Sequence, residues 1–373
     1  MTDKTTFKVG SRKSQLAIIQ TNEVITELKK LYPDKKFDIV EMSTIGDKIL
    51  DKPLPKIGEK SLFTRELEDA LLNGGVDFVV HSLKDLPTAL PNGLTIGAVL
   101  EREDPRDVLI LNSKYECENL DSLPKGCVIG TSSLRRTAQL CRNNPHLEIK
   151  NIRGNLNTRL RKLDEDKIYS GIVLAAAGVK RMKWEERIRE YLEPSKFMYA
   201  VGQGAIAVEC RSGDDVVIKI LEKLNHIPTI MRVVCERSFL KTLGGGCSAP
   251  VAVHSIFSEK TLSLTGAVWS LDGAKTIKKS AKIDVWSEDN EPPRKFANIE
   301  RKPHVGMSIS NMNENDLIAA EDLGTKLAQD MIDVGALDII EEAKLNNEKP
   351  DNAVTDNNNI VQESNVIKNG EER

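Results

Sequence analysis

A chain of 373 residues is too long for one ordinary core and points to two or three domains at about 150 residues each. With 40% hydrophobic, 29% charged and only 4% aromatic residues, it reads as globular, with aliphatic cores and few platforms on which bases or sugars stack. The formal charge is −3, but residues 341–373 hold 8 acids against 4 bases, so the remainder sits near +1 and net charge alone names no polyanionic partner.

No apolar run approaches the roughly 18 residues that span a bilayer, the longest lying at IVLAAAGV, 172–179. The start, MTDKTTFKVG, lacks the apolar core of a secretory signal. The six cysteines show neither disulfide-framework spacing nor a C-x-x-C pair, so a cytoplasmic location with free thiols is expected. From residue 7, short apolar runs alternate with amphipathic ones: FKVG, QLAIIQTNEVITELKKL, FDIVEMST, LFTRELEDALLNG, VDFVVHSL. This is the pattern of crossover units on a largely parallel sheet. After EREDPRD, 101–107, a second set follows: DVLILN, CVIG, a helix near 133–143, LEIKNIR, a helix near 156–166, and GIVLAAAG. Beyond Pro250 the runs VAVHSIF and LSLTGAVWSL alternate with period two, and a helix near 316–335 follows, giving a small α+β third domain. Residues 272–305 read as an exposed, charge-rich insertion. The asparagine-rich tail from about 345 is too poor in apolar residues to offset its ordering entropy and is expected to be disordered.

Between 131 and 161 there are seven bases (Arg135, Arg136, Arg142, Lys150, Arg153, Arg159, Arg161) against one acid, Glu148. Composition alone allows a solvated basic face or a nucleic-acid patch. Position favours an anion site: GTSSLRR and RGNLNTR each follow a strand and open a helix, where free backbone N–H groups face a crevice and Ser132 or Ser133 caps or donates. Arginine adds a planar fork suited to carboxylate or phosphate, and no Walker or dinucleotide fingerprint decides between the two. HSLKDLP, 81–87, places Lys84 and Asp85 at another strand end. A surface ion pair is the plain alternative, but an acid facing many arginines stays ionised and can stabilise a cation or shuttle a proton. Arg12 and Ser14, in GSRKSQ, hold the matching place in the first unit, with a helix cap and a solvated arginine as the alternative.

GGGCSAP, 244–250, puts Cys247 on a glycine-rich loop closed by proline. Cys210 and Cys235 fall on apolar faces and read as small buried hydrophobes, as do Cys117, Cys127 and Cys141. A loop thiol serves as a nucleophile or as the anchor of a covalently held group, and the residues alone leave both open. Neither His81 nor His254 is spaced as a partner base, and no His/Cys cluster has metal-ligand spacing, so no metal is expected.

The strings GSRKSQLA, STIGDKILDKPLPKIGEKSLFTRELE, VHSLKDLPT, EREDPRDVLI, GTSSLRRTAQL, IRGNLNTRL, AVGQGAIAVECR and GGGCSAPVA resemble those of the porphobilinogen deaminase (hydroxymethylbilane synthase) family, in the family's order, over about residues 7–270. The resemblance implies an α/β enzyme with two periplasmic-binding-protein-like domains, a cleft between them, and a small α+β C-terminal domain. It also implies two crossings between the first domains. The expected division is therefore 1–100 with 200–222, then 101–199, then 223–344, with the tail 345–373. A dipyrromethane cofactor, bound as a thioether to Cys247, is implied as the primer. Four porphobilinogen molecules add to it in turn with loss of ammonia through an azafulvene, and hydroxymethylbilane is then released by hydrolysis.

By the same resemblance Asp85 holds pyrrole N–H groups and developing positive charge, with Lys84 beside it. Arg135, Arg136, Arg159, Ser132, Ser133 and Lys60 are implied on the cofactor side. Arg12, Ser14, Arg153, Arg181, Gln203 and Phe63 are implied on the substrate side; for Lys60 and Phe63 a surface lysine and an apolar helix anchor are the alternative. The expected state is a monomer binding neither nucleic acid nor membrane. A non-catalytic binder of polycarboxylates would use the same arginines but has no need of a thiol on a mobile loop. A nucleic-acid binder would be held on DNA in a salt-dependent way.

Overall fold

The computed structural model describes residues 4–48, 63–116, 119–244, 249–285, 303–309 and 312–348. The chain opens with β1 (Thr6–Arg12), α1 (Gln15–Leu31), β2 (Lys36–Met42), α2 (Ile45–Lys48), α3 (Arg65–Leu72), β3 (Phe78–Ser82) and β4 (Leu94–Val99). It crosses into β5 (Asp107–Leu111), β6 (Val128–Gly130), α4 (Leu134–Asn143), β7 (Glu148–Lys150), α5 (Leu156–Glu165), β8 (Gly171–Ala175), α6 (Ala176–Arg181) and β9 (Glu190–Leu192). It then returns through β10 (Ile206–Arg211) and α7 (Asp215–Leu221). Last come α8 (Ile227–Thr242), β11 (Val251–Ser258), β12 (Thr261–Trp269), β13 (Thr276–Asp284), α9 (Glu314–Ile332) and α10 (Ala336–Glu348).

Two five-stranded sheets have matching orders, β2-β1-β3-β10-β4 and β7-β6-β8-β5-β9. In the first, β1 is parallel to β2 and β3 while β10 runs antiparallel to β3 and β4. In the second, β6 is parallel to β7 and β8 while β5 runs antiparallel to β8 and β9. The expected largely parallel sheets are therefore mixed. The reason is the pair of crossovers: β5 and β10 each enter from the other unit at the edge where the parallel strands end, and so run away from it.

Strand and helix patterns follow from burial. α1 buries Ala17, Gln20, Thr21, Val24, Ile25 and Leu28, the three-and-four spacing of one helix face. GIVLAAAG divides: the branched residues form β8 and the alanines start α6, which suits their opposite propensities.

The third unit packs a meander, β11-β12-β13, against α8 and α9. α8 is buried nearly all round, from Thr229 to Phe239. α9 approaches it closely at Gly324, where a Cβ would lie 2.1 Å from the Cys235 carbonyl oxygen. The supposed insertion at 272–305 contains β13. Its Ile277, Ala281 and Ile283 pack on the core while Lys278 and Lys282 face outward; Lys279 shares the inner parity and donates to the Asp330 carbonyl, so the charge content hides the period-two pattern. The helix α10 carries the chain past 345 to Glu348; the remainder of the tail, 349–373, and 286–302 lie outside the described residues.

Candidate active site

On the first sheet, β3 passes directly into a single 3-10 turn, Leu83–Asp85. Leu83 and Leu86 are buried in the core and fix the turn from below, which leaves Lys84 and Asp85 half-buried at its surface. Burial pushes the Lys84 amine down; Asp85 opposes this and Arg136 adds to it, with Asp107 and Arg135 contributing in the same two senses. Lys84 has no hydrogen-bonded or ion-pair partner among the described residues. β1 ends at Arg12, whose guanidinium lies 4.4 Å from the Phe63 ring centroid, a cation–π distance. Ser14 caps α1, its hydroxyl accepting from the Ala17 N–H at 3.3 Å, and keeps its own proton to donate.

The second sheet supplies the cations. β6 ends at Gly130, and Thr131, Ser132 and Ser133 lead into α4. Ser132 donates to the Ile152 carbonyl, tying this opening to the one before α5. Ser133 occupies the N-cap of α4 without making a side-chain cap bond. Arg135 and Arg136, in the first turn, both reach Asp107, which starts β5 and is 0% exposed. Arg135 Nη1 lies 2.6 Å from Asp107 Oδ2, and Arg136 Nη2 lies 2.7 Å from Oδ1. Burial would push the Asp107 carboxyl up, but the two guanidiniums more than reverse it and hold it far below the usual carboxylate range. Arg135 also donates to the Met198 carbonyl at 2.8 Å, and Arg136 to that of Val173 at 2.9 Å. Arg136 Nε remains buried without a partner.

Arg153 is buried in the loop before α5, and Arg159 lies on α5, donating through Nε to the Gly154 carbonyl at 2.8 Å. The terminal nitrogens of Arg159 have no partner among the described residues. Burial brings the Arg159 pKa down to about 10, with Arg136 and Arg153 adding to the effect and Asp85 opposing it. Arg136, Arg153 and Arg159 of the second unit are thus within electrostatic reach of one another, and the pair Lys84 and Asp85 of the first unit feels Arg136 and Arg159 respectively.

The other three bases of the 131–161 cluster leave the crevice. Arg142 donates to the Gly273 carbonyl, Lys150 pairs with Glu148 at 3.7 Å, and Arg161 pairs with Glu165 one turn on. Gln203 is buried between the crossovers, donating to Asp107 Oδ1 at 2.9 Å and to the Pro105 carbonyl at 2.6 Å, while its Oε1 accepts from Arg135 at 3.4 Å. Arg181 on α6 reaches Glu23 on α1 at 3.0 Å and the Gly204 carbonyl at 3.2 Å, joining the two units. Lys60 and Cys247 lie outside the described residues, as does Cys117; Cys127, Cys210 and Cys235 are buried and Cys141 is half-buried. Sequence reasoning missed Asp107. Its signal was an acid closing the alternating string EREDPRD at a strand start, with the arginines it pairs arriving 28 and 29 residues later.

This donor set fits a ligand carrying several carboxylates. A buried Arg136 Nε without a partner, the unpartnered end of Arg159, the Ser133 hydroxyl at a helix start and the Lys84 amine all offer N–H or O–H. A dipyrromethane with acidic side chains matches that chemistry. No helix among the described residues is long and apolar enough to cross a membrane.

Residues 7–219 match the family profile described as "Porphobilinogen deaminase, dipyromethane cofactor binding domain", and 230–295 match "Porphobilinogen deaminase, C-terminal domain". The porphobilinogen deaminase of Synechococcus elongatus is 52% identical over 272 residues, 73% of this chain and 85% of that protein. That of Gloeobacter violaceus is 53% identical over 72% of this chain and 82% of its own length, and that of a Nostoc species 50% over 73% and 84%. Among solved structures, the periplasmic VFT2 domain of Bordetella pertussis BvgS aligns with a TM-score of 0.37 at 14% identity, over 60% of this chain and 87% of that one. The two profiles and the identity near one half, over most of both lengths, place the chain in the porphobilinogen deaminase family.

Proposed function

We propose that this chain condenses four porphobilinogen molecules head to tail, with release of ammonia, and frees the product as hydroxymethylbilane. In this reading Cys247 holds a dipyrromethane primer as a thioether. When bound, the primer supplies a nucleophilic pyrrole α-carbon for the first condensation. Asp85 accepts hydrogen bonds from pyrrole N–H groups and offsets the positive charge that develops on porphobilinogen as its C–N bond breaks. Lys84, whose ammonium form burial disfavours, sits next to Asp85 as a proton donor to the departing amine or as its acceptor. Arg136, Arg159, Ser133 and Lys60 take the cofactor's carboxylates, while Ser132, its one hydroxyl proton given to the Ile152 carbonyl, holds the loop that presents them. Arg12, Ser14 and Arg153 take those of the substrate, with Phe63 as the face on which Arg12 rests. Arg135, Gln203 and Arg181 have donors engaged by protein and enter by holding Asp107 and the crossovers in place.

The observation that carries this reading is the pair Arg135 and Arg136 held on the buried Asp107, with Arg136 Nε left unpartnered and the terminal nitrogens of Arg159 without a partner among the described residues, donors suited to several carboxylates. The division 1–100 with 200–222, 101–199 and 223–344 is part of the proposal, supported by β10 in the first sheet and β5 in the second. So are a cytoplasmic location and a monomeric state. A nucleic-acid role has less support, because the cluster's cations turn inward or pair locally. Turnover of porphobilinogen by Asp85→Asn is the test. The variant is expected to keep its melting temperature and to lose about 10²–10⁴-fold in kcat, the range for a positioned acid or base. A wild-type rate in the folded variant removes Asp85 from the chemistry.

A further inference from the structure

Arg237, on α8, is the largest side chain among the described residues to be so deeply buried, at 1% exposed. It touches no carboxylate among the described residues. Its donors instead go to three carbonyls: Nε and Nη2 to Val305 at 3.1 and 3.0 Å, Nη1 to Leu86 at 3.1 Å, and Nη2 to Pro87 at 2.7 Å. Removing a guanidinium from water without a counter-charge in contact is costly, and an apolar side chain of similar volume fills such a space at less cost. A planar fork does something that an apolar chain cannot, which is to fix several carbonyls relative to one another.

Two of these carbonyls belong to one turn. Leu86 and Pro87 directly follow Asp85, and Leu83 and Leu86 pack in the same core cluster as Ile230, Val233 and Val234 of α8. The front of the turn is pinned elsewhere: the Leu83 N–H donates to the Ala205 carbonyl at 3.0 Å, and His81 meets the buried Glu209 at 3.1 Å. Only the Arg237 bonds fix the back of the turn to the third unit through side-chain hydrogen bonds among the described residues. Val305 is equally telling. This β-branched residue has φ +44°, a strained conformation, and its carbonyl receives two of the Arg237 bonds. The next residue, Gly306, bonds to β4 through Thr95 Oγ1.

We propose that Arg237 is a positioning residue for Asp85: through the Leu86 and Pro87 carbonyls it registers the catalytic turn against α8. This rests on the role given above to Asp85. Loss of the fork lets the turn shift while its front stays pinned, so the carboxylate is misplaced without the substrate's arginines being disturbed.

The test uses the full chain, comparing wild type, Arg237→Lys, Arg237→Ala and Asp85→Asn. Intact mass, melting temperature, and kcat and KM for porphobilinogen are measured, the last two per chain carrying its mass increment. Arg237→Ala is expected to keep the increment and to lose about a hundredfold in kcat, the scale of a misplacement near 1 Å, with KM nearly unchanged. Added guanidinium, far below denaturing concentrations, is expected to recover much of that loss by filling the vacated space. If Arg237→Ala does not fold, Arg237→Lys decides, since an ammonium cannot span three carbonyls: a lowered kcat at unchanged KM supports the proposal. A wild-type kcat in either folded variant, with only the melting temperature lowered, overturns it, and so does failure of both to fold. A wild-type rate in Asp85→Asn instead defeats the underlying role of Asp85, whatever Arg237 does.

Discussion

Asp107 is sealed from solvent, yet the cationic wall of the crevice depends on it. Without it, Arg135 and Arg136 would lie side by side and repel; with it, they are held in parallel and one buried Nε is left over for a ligand. Replacing Asp107 by Asn leaves two buried cations without an acid, and a loss of about 3–5 kcal/mol in urea titrations is expected. The pH dependence has a definite sign. The Asp107 pKa is lowered in the folded state, so its contribution is present above the ordinary carboxylate range of about 3.9 and is lost as pH falls below that range. Acid titrations of wild type and Asp107→Asn are expected to show a smaller stability loss in the variant over that window; equal acid losses would contradict the assignment. The excess of arginine was legible as a run of seven bases, but which ones converge was not. Arg142 lies two helical turns beyond the start of α4, and Arg161 finds Glu165 on its own helix, facts of register that a count of charges does not contain.

At the scale of elements, the two crossovers are where the units are joined. Arg102 donates to Glu236 on α8 at 2.6 and 3.1 Å and to the Gln203 carbonyl at 2.7 Å, and Glu236 also accepts from the Gly202 N–H at 2.8 Å. Glu103 pairs with Lys180 on α6, so successive residues of the connection between β4 and β5 face different units. Between them Gly204 takes φ +92°, and a Cβ there would lie 2.3 Å from the Glu103 carbonyl oxygen. Gly204→Ala is therefore expected to cost at least roughly 1–3 kcal/mol, read from the chemical-denaturation midpoint. A variant as stable as wild type would show that the crossovers are free to separate. Most helices and strands were legible from periodicity, because burial on one face writes a period into the sequence. Strand direction was not: nothing within IAVEC or DVLIL reports that each enters its sheet from the opposite unit. β13 was hidden because its outer face is polar and Lys279 interrupts the inner one, although Ile277, Ala281 and Ile283 keep the inner period.

For the whole molecule, one mixed sheet carries the acid-bearing turn and the other the buried arginines, within electrostatic reach of it, and a third unit lies against the turn through α8. The order of motifs along the chain carried most of this, since GSRKSQLA, VHSLKDLPT, GTSSLRR and IRGNLNTR each end a strand where the crevice forms. What the motifs did not convey is the coupling, which runs through buried charges whose partners lie up to 151 residues away. The central claim is that Cys247 holds the primer on which the product is built. Intact mass of the purified, active chain tests it most directly: wild type is predicted to exceed its sequence mass by one dipyrromethane, and Cys247→Ser to match its sequence mass and lack turnover. An active wild type at bare sequence mass, or the same increment persisting in Cys247→Ser, would contradict the account.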